Sequence, residues 1–139
     1  MNVMAEREEV WVAALEDKPG ALGKKLASLA EAGADLGFVI ARRSHEKPGS
    51  GVVFVTPLRG DREVRAGTQE GFTVSSHLHS VRVEGGNEPG IAAKIAQRLA
   101  EAGLNLRGFS GAVIGTQYVV HVAMDTEEAA EKAIASLQN

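Results

Sequence analysis

Along the chain the hydrophobic positions alternate between two periods. Val10 to Leu15 (VWVAAL) is a β-branched and aromatic run that reads as a strand. Val10, Val12 and Ala14 fall on one face and Trp11, Ala13 and Leu15 on the other, so the strand is expected in a sheet covered on both sides. Leu22, Leu26, Leu29 and Ala30 then recur at helical spacing, and Gly33 follows where a left-handed residue ends a helix. Period two returns in LGFVIARR and GVVFVTP, a hairpin joined by the polar turn SHEKPGS, which is expected to be exposed and mobile.

The same order of elements is written a second time. Sliding the chain by seventy positions lays Pro19–Leu36 on Pro89–Leu106 with nine identities in eighteen and no gap. In this copy SVRVE alternates, the pattern of a sheet with one wet face, and Ile91, Ala92, Ile95, Ala96 and Leu99 form the helical stripe before Gly103. NLRGFSGAVI and QYVVHVAM make the hairpin, turning at Gly115-Thr116. In both copies Asp17 or Asn87 is expected to open the helix, with Pro two residues on in its first turn. A final helix is predicted in DTEEAAEKAIASLQ, with Asp125 and Glu128 at capping-box spacing and Ala130, Ala133, Ile134 and Leu137 as its apolar stripe. The counterpart GDREVRAGTQEGF carries Gly67 and Gly71 and predicts a short, weak helix, after which FTVSSHL supplies a fourth strand.

Strand, helix, strand, strand, helix, strand is the split βαβ order of an α+β ferredoxin-like unit, here present twice. The expected division is a first domain over residues 1–71, its last strand at about 72–79, and a second over 80–139. The second copy lacks a fourth strand of its own. An open sheet edge is a template for pairing, so that edge is expected to be filled by residues 1–9 or by another chain.

Composition narrows the chemistry. The 139 residues carry 44% hydrophobic and 24% charged positions, fitting one globular domain or two very small ones. No apolar run approaches ~18 residues and the N-terminus lacks a basic and apolar leader, which points to a cytoplasmic protein. Without cysteine there are no disulfides, thiolate metal sites or thiol nucleophiles. A net charge of -3 and six scattered aromatics argue against nucleic-acid binding. The motifs GxSxG, HExxH and the P-loop are absent, and Ser75, Ser76, His77 and Asp61 are a weak nucleophile set, so no enzyme is expected. His77 and His79 share one face if they share a strand, with His121 as the sole further ligand in prospect; no metal and no cofactor is assigned.

The segments DKPGALGKKLASLAEAGADL and NEPGIAAKIAQRLAEAGLNL resemble the ACT-domain signature: a polar residue, Pro-Gly, a helix ending in Ala-Gly, then Asn or Asp opening the next strand. The resemblance implies a tandem regulatory module that binds a small ligand, usually an amino acid, in the loop before the first helix, close to a neighbouring domain's second strand. Carried over by position, the ligand candidates are Asp17, Pro19, Gly20, Ala21, Leu22 and Asp35 in the first copy, and Asn87, Pro89, Gly90, Ile91, Ala92 and Asn105 in the second. It further implies pairing with other ACT domains, so a homodimer is expected; a regulated partner protein would be acted on in trans, and the absence of a long apolar run leaves no membrane contact expected. Independently of the family, a helix N-terminus offers unpaired amides to a carboxylate. Asn105 can serve both ends of a zwitterion, whereas ionised Asp35 only accepts, which favours the second loop. The alternative is an interaction module with vestigial ligand loops, and a less favoured one is an enzyme using a cleft between the domains.

Overall fold

A computed structural model describes residues 2–138, with eight strands and four helices among them. The elements are β1 (Val3–Glu8), β2 (Trp11–Glu16), α1 (Ala21–Glu31), β3 (Phe38–Arg43), β4 (Ser50–Thr56), α2 (Gly60–Gln69), β5 (Thr73–Val74), β6 (His79–Gly86), α3 (Ile91–Glu101), β7 (Gly108–Ile114), β8 (Gln117–Met124) and α4 (Glu127–Gln138). They form two four-stranded antiparallel sheets, ordered β3-β4-β2-β5 and β7-β8-β6-β1, each with two helices. This is the duplicated α+β ferredoxin-like fold.

The chain divides into two compact units. The first is continuous, Glu9–Ser75; the second joins the segment ending at Glu8 to the segment beginning at Ser76. The edge of the second sheet is therefore filled by the protein's own N-terminal strand. β1 pairs with β6 from Val3↔Gly85 to Glu8↔Ser80, in the place that β5 holds beside β2. Residues 2–8, expected with the first domain, thus pack in the second unit; Met1 lies outside the described residues. Ala5 sits buried in that unit's core, and the Gln138 side chain donates to its carbonyl at 3.1 Å.

In the first unit Trp11, Ala13, Val53 and Val55 pack with Leu29 of α1 and with Leu58 and Phe72. Each fully buried side chain of this size contributes about 1.5–3 kcal/mol. The helices cover the Trp11 and Ala13 face of β2 alone. On the reverse Val10, just before the strand, is buried, Val12 half-buried and Ala14 exposed, so the expected cover on both sides is met on that face only in part. In the second unit Val81, Val83, Val120, Val122 and Met124 pack on Ile95, Leu99, Ala130, Ala133 and Leu137, while Arg82 and Glu84 pair at 2.9 Å on the wetter face.

Local signals place the helix ends unevenly. At the C-termini the Gly prediction holds: Gly33 and Gly103 have φ of +95° and +79°, and the Ala34 and Leu104 amides donate back to Leu29 and Leu99. The N-termini begin later than expected. Gly20 and Gly90, at φ +86° and +83°, are the capping residues, and Asp17 and Asn87 precede them in the loop. Asp17 lies three residues before the cap and its carboxylate meets Arg43 Nε at 2.9 Å instead; the Asp17 and Asn87 amides donate to Gly49 O and Thr116 O. In α4 the cap is Thr126, whose Oγ1 accepts the Ala129 amide at 3.0 Å, while Asp125 pairs with Arg107.

The helix expected to be short and weak has ten residues, and Gly67 within it is a packing residue: a Cβ there would stand 2.7 Å from Leu58 Cδ1. The strand expected over 72–78 shrinks to Thr73–Val74, with Phe72 turned into the core. The 44–50 turn is organised by its own bonds, Ser44 N to Ser50 O and Ser50 Oγ to Lys47 O.

Candidate functional site

Each βα loop crosses from the end of a central strand to a helix whose first amides lack partners. In the first unit the Ala21 amide donates to Lys18 O and the Lys24 amide to Gly20 O. Between them the amides of Gly20, Leu22 and Gly23 have no acceptor among the described residues, and no side chain caps α1. In the second unit the Ile91 and Lys94 amides donate to Glu88 O and Gly90 O, leaving those of Gly90, Ala92 and Ala93. Positive φ at Gly20 and Gly90 turns the chain into the helix, and nothing within 4 Å would meet a Cβ at either, so the loop backbone is open to an approaching ligand. A carboxylate or other anion is the partner such amides favour.

The walls of the two loops differ in charge. The first faces a cleft of ≈ 540 Å³ whose lining includes Glu16, Lys18, Lys24, Lys25, Lys47, Ser50 and Glu70. Lys18 and Glu16 pair at 2.8 Å, which holds the Glu16 carboxyl below and the Lys18 amine above their usual ranges. Lys25 donates to Glu70 O at 2.5 Å, and the Glu70 carboxylate accepts from Ser28. The second cleft, of ≈ 760 Å³, is lined by Asn2, Gly86, Glu88, Ile91, Lys94, Gln97, Arg98 and Glu101, two cations against two carboxylates. Lys94 Nζ donates to Glu88 Oε1 at 2.8 Å and lowers the Glu88 pKa. Beside it lies the Tyr118 hydroxyl, buried and without a hydrogen-bond partner among the described residues; burial, then the Glu88 charge, pushes its pKa up.

The twelve candidate residues are not all brought together. Asp17, Pro19 and Gly20 form one loop, continued by Ala21 and Leu22 at the start of α1, and Asn87, Pro89 and Gly90 the other, continued by Ile91 and Ala92 at the start of α3. Pro19, Gly20, Pro89 and Gly90 are exposed, whereas the side chains of Leu22 and Ile91 enter the cores, leaving the Leu22 backbone as its contribution. Asp35 and Asn105 are exposed beyond the opposite ends of α1 and α3. At 1.5 Å per residue an eleven-residue helix holds them roughly 16 Å from the Pro-Gly loop of their own unit.

Other residues of the clefts were not singled out from the sequence. Lys24 and Lys94 stand four residues beyond Gly20 and Gly90, and Arg98 one turn further, a spacing that puts them along the helix face leading from the loop. Asn2 had no such signal, since its place depends on β1 joining the second sheet. A second unheralded group lies on the second sheet itself. Ser80 Oγ donates to Glu8 Oε2 at 2.7 Å and His121 Nδ1 lies 2.5 Å from the same oxygen, all three largely buried. The imidazole and the hydroxyl share one carboxylate oxygen, so this is an anchor for β1 rather than a relay from hydroxyl to imidazole to carboxylate.

The remaining candidates separate. His77 lies on a bend after β5 and is exposed, so it does not share a strand face with His79, which sits in β6 with Nδ1 3.2 Å from Glu127 Oε2. Among the described residues no group of three or more His, Asp or Glu could hold a metal ion. Asp61 is exposed in the first turn of α2, and Ser75, Ser76 and His77 follow β5. No described helix is long and apolar enough to cross a membrane.

No curated protein matches the sequence. Among solved structures, a protein of Bacteroides thetaiotaomicron superposes with a TM-score of 0.79 at 15% identity, covering 96% of this chain and 90% of that one. The ligand-free regulatory subunit of aspartate kinase from Thermus thermophilus gives 0.67 at 19% identity, covering 99% and 95%. Its counterpart from Thermus flavus gives 0.62 at 19%, covering 99% and 95%. At these identities the likeness is one of fold. By sequence, residues 79–138 match the ACT domain family, and the ferredoxin-like architecture they belong to occurs in both units of the chain.

Proposed function

We propose that this protein is a non-enzymatic regulatory module of two ACT-like units that binds an amino acid or a related small metabolite and acts in trans on a partner protein, as a homodimer. The observation that carries the reading is the pair of open helix N-termini: at each, the glycine of the Pro-Gly turn and two residues of the first helical turn have amides without acceptors among the described residues, and the adjoining cleft is lined by Lys18 and Ala21 in the first unit and by Glu88 and Ile91 in the second. The second cleft suits a zwitterion. Its amides serve the carboxylate, Glu88 and Glu101 the ammonium, and Lys94 and Arg98 balance them. The first cleft, with four lysines against two glutamates, favours a more anionic ligand. Asp35 and Asn105 would enter such a site from a neighbouring domain, as the ACT resemblance implies. The aspartate kinase neighbours, described as regulatory subunits, support a role in which occupancy is passed to another chain.

Occupancy can shift a partner only through a difference in affinity between two states. The first test is thermal unfolding of the full chain with each common amino acid at millimolar concentration. A ligand bound by the native state alone raises the melting temperature, by about 2.7 kcal/mol of added stability at a hundredfold excess over Kd. Gly90→Val, which places a side chain where positive φ disfavours one, is expected to remove the shift with Gly20→Val as the matched comparison. Absence of any shift would favour the interaction-module reading, for which the uncharged outer edge of β7 is the supporting observation.

A further inference from the structure

The two sheets differ in how their last strand is filled. In the second, β1 faces β6 from Val3↔Gly85 to Glu8↔Ser80; in the first, β5 faces β2 only at Trp11↔Val74 and Val12↔Thr73. The Ser75 amide on Val10 O and the Asp17 amide on Gly49 O show how β2 alternates. Backbone groups of its even-numbered residues point toward β5 and those of its odd-numbered ones toward β4. Continuing the β5 register would set Gly71 opposite Ala14. That pair does not form, because Gly71 and Phe72 turn their amides back to Thr68 O and Gly67 O at the end of α2. Glu16 O takes the Lys18 amide. The Ala14 amide, the Ala14 carbonyl and the Glu16 amide are left without partners among the described residues, on an exposed stretch of strand. Seventy positions on, Glu84 stands where Ala14 does and faces Met4 of β1, so the fold accommodates a strand at this place.

We infer that this open stretch of β2 receives an extended, acidic segment of the partner protein, added as a strand in line with β5. The inference rests on the preceding section for the existence of a partner and gives that partner its place, leaving the second cleft to the metabolite. Backbone supplies the bonds: Ala14 and Glu16 present two donors and one acceptor at the spacing of a β ladder. Charge selects the segment. Ala14, Leu15 and Glu16 line the ≈ 540 Å³ cleft together with Lys18, Lys24, Lys25 and Lys47. Lys18 is paired with Glu16, whereas Lys24 and Lys47 form no ion pair among the described residues. Side chains of an added strand alternate, so acidic ones directed toward α1 meet Lys24 and Lys25 while apolar ones lie beside Val12 and Ala14 on the reverse face. A second copy has no such segment to offer, since its acidic runs at 6–9 and 125–131 are taken up in and beside β1 and α4. A free anion answers the lysines alone and leaves the Ala14 backbone unpaired.

The probe is an acetylated and amidated peptide of alternating valine and glutamate, about six residues long to match the strand that fills the second sheet, titrated into the full isotope-labelled chain. So short an edge is small beside the ~20–30 residues a side of a standard interface, and a dissociation constant of ~0.1–1 mM is expected. The Ala14 and Glu16 amide resonances should shift and their exchange with solvent slow; the valine and lysine counterpart should do neither. Ala14→Pro removes a donor that faces away from β4 and should weaken binding about tenfold or more. Lys24→Glu combined with Lys47→Glu, both at exposed positions, should weaken it about fivefold or more with β2 untouched, which decides the matter if the proline variant does not fold. Three results would each overturn the proposal: equal binding of the lysine peptide, perturbation confined to lysine side chains as inorganic phosphate alone would give, or Ala14 and Glu16 amides that become protected in the chain alone as its concentration rises, the mark of a second copy. Thermal shifts with amino acids, measured on the doubly substituted lysine variant, report the metabolite reading separately, so either can fail alone.

Discussion

A Cβ at Gly51 would stand 2.5 Å from the carbonyl oxygen of Arg42 on the neighbouring strand. That contact is with backbone, which cannot swing aside, so Gly51→Ala is expected to lose about 1–3 kcal/mol. Urea unfolding followed by the fluorescence of Trp11, the one tryptophan and a core residue of the same unit, measures it. In the second unit Glu8 is the shared acceptor of Ser80 and His121. Glu8→Ala removes both interactions from a largely buried site and should cost about 1–3 kcal/mol, read by circular dichroism in urea. Neither residue could have been chosen from the sequence. Gly51 looks like the end of a turn and Glu8 like one more charge in an acidic stretch, and only the strand beside each reveals its role.

At the level of elements, β1 and α4 are joined by Arg7, which donates to both oxygens of Glu127 and to the Ser80 carbonyl. Hydrogen bonds from Arg7, with a smaller contribution from His79, lower the Glu127 pKa to about 2 from its ordinary 4.5. A depressed carboxyl pKa stabilises the fold above the unfolded value and loses that contribution as pH falls through the folded one. Stability should therefore decline between about pH 5 and pH 2, and Glu127→Gln should flatten that part of the curve. A slope identical to wild type would show that the pair does not hold the strand. The helices themselves were legible from apolar spacing and terminal glycines. Their N-termini were not, because the positive-φ turn at Gly20 and Gly90 starts each helix three residues past the Asp17 or Asn87 that local rules would make the cap.

For the whole molecule, the order of segments sets the outcome. The first unit is continuous, whereas the second needs a strand from before the first and the rest from after it. A fragment of residues 9–75 is thus expected to fold by itself. One of residues 76–139 should not fold until a peptide of residues 1–9 is added, since its β6 edge is otherwise unpaired and Ala5 is missing from the core. Amide exchange of the fragment with and without peptide tests this; unaided, fully protected folding of residues 76–139 would contradict it.

What the sequence by itself determined is what depends on neighbours a few residues away: two copies of one unit, the period of each strand and helix, the glycine helix stops, and the Pro-Gly loops that bear the open amides. The tertiary structure alone decided which edge received β1, which side chains wall each cleft, and that Asp35 and Asn105 lie a helix length from the loops they were grouped with. The physical reason is that strand pairing is a contact between distant segments. VMAERE carries no local mark of its partner, so the sequence left that edge open to residues 1–9 or to another chain, and only the register Val3↔Gly85 to Glu8↔Ser80 resolves the choice.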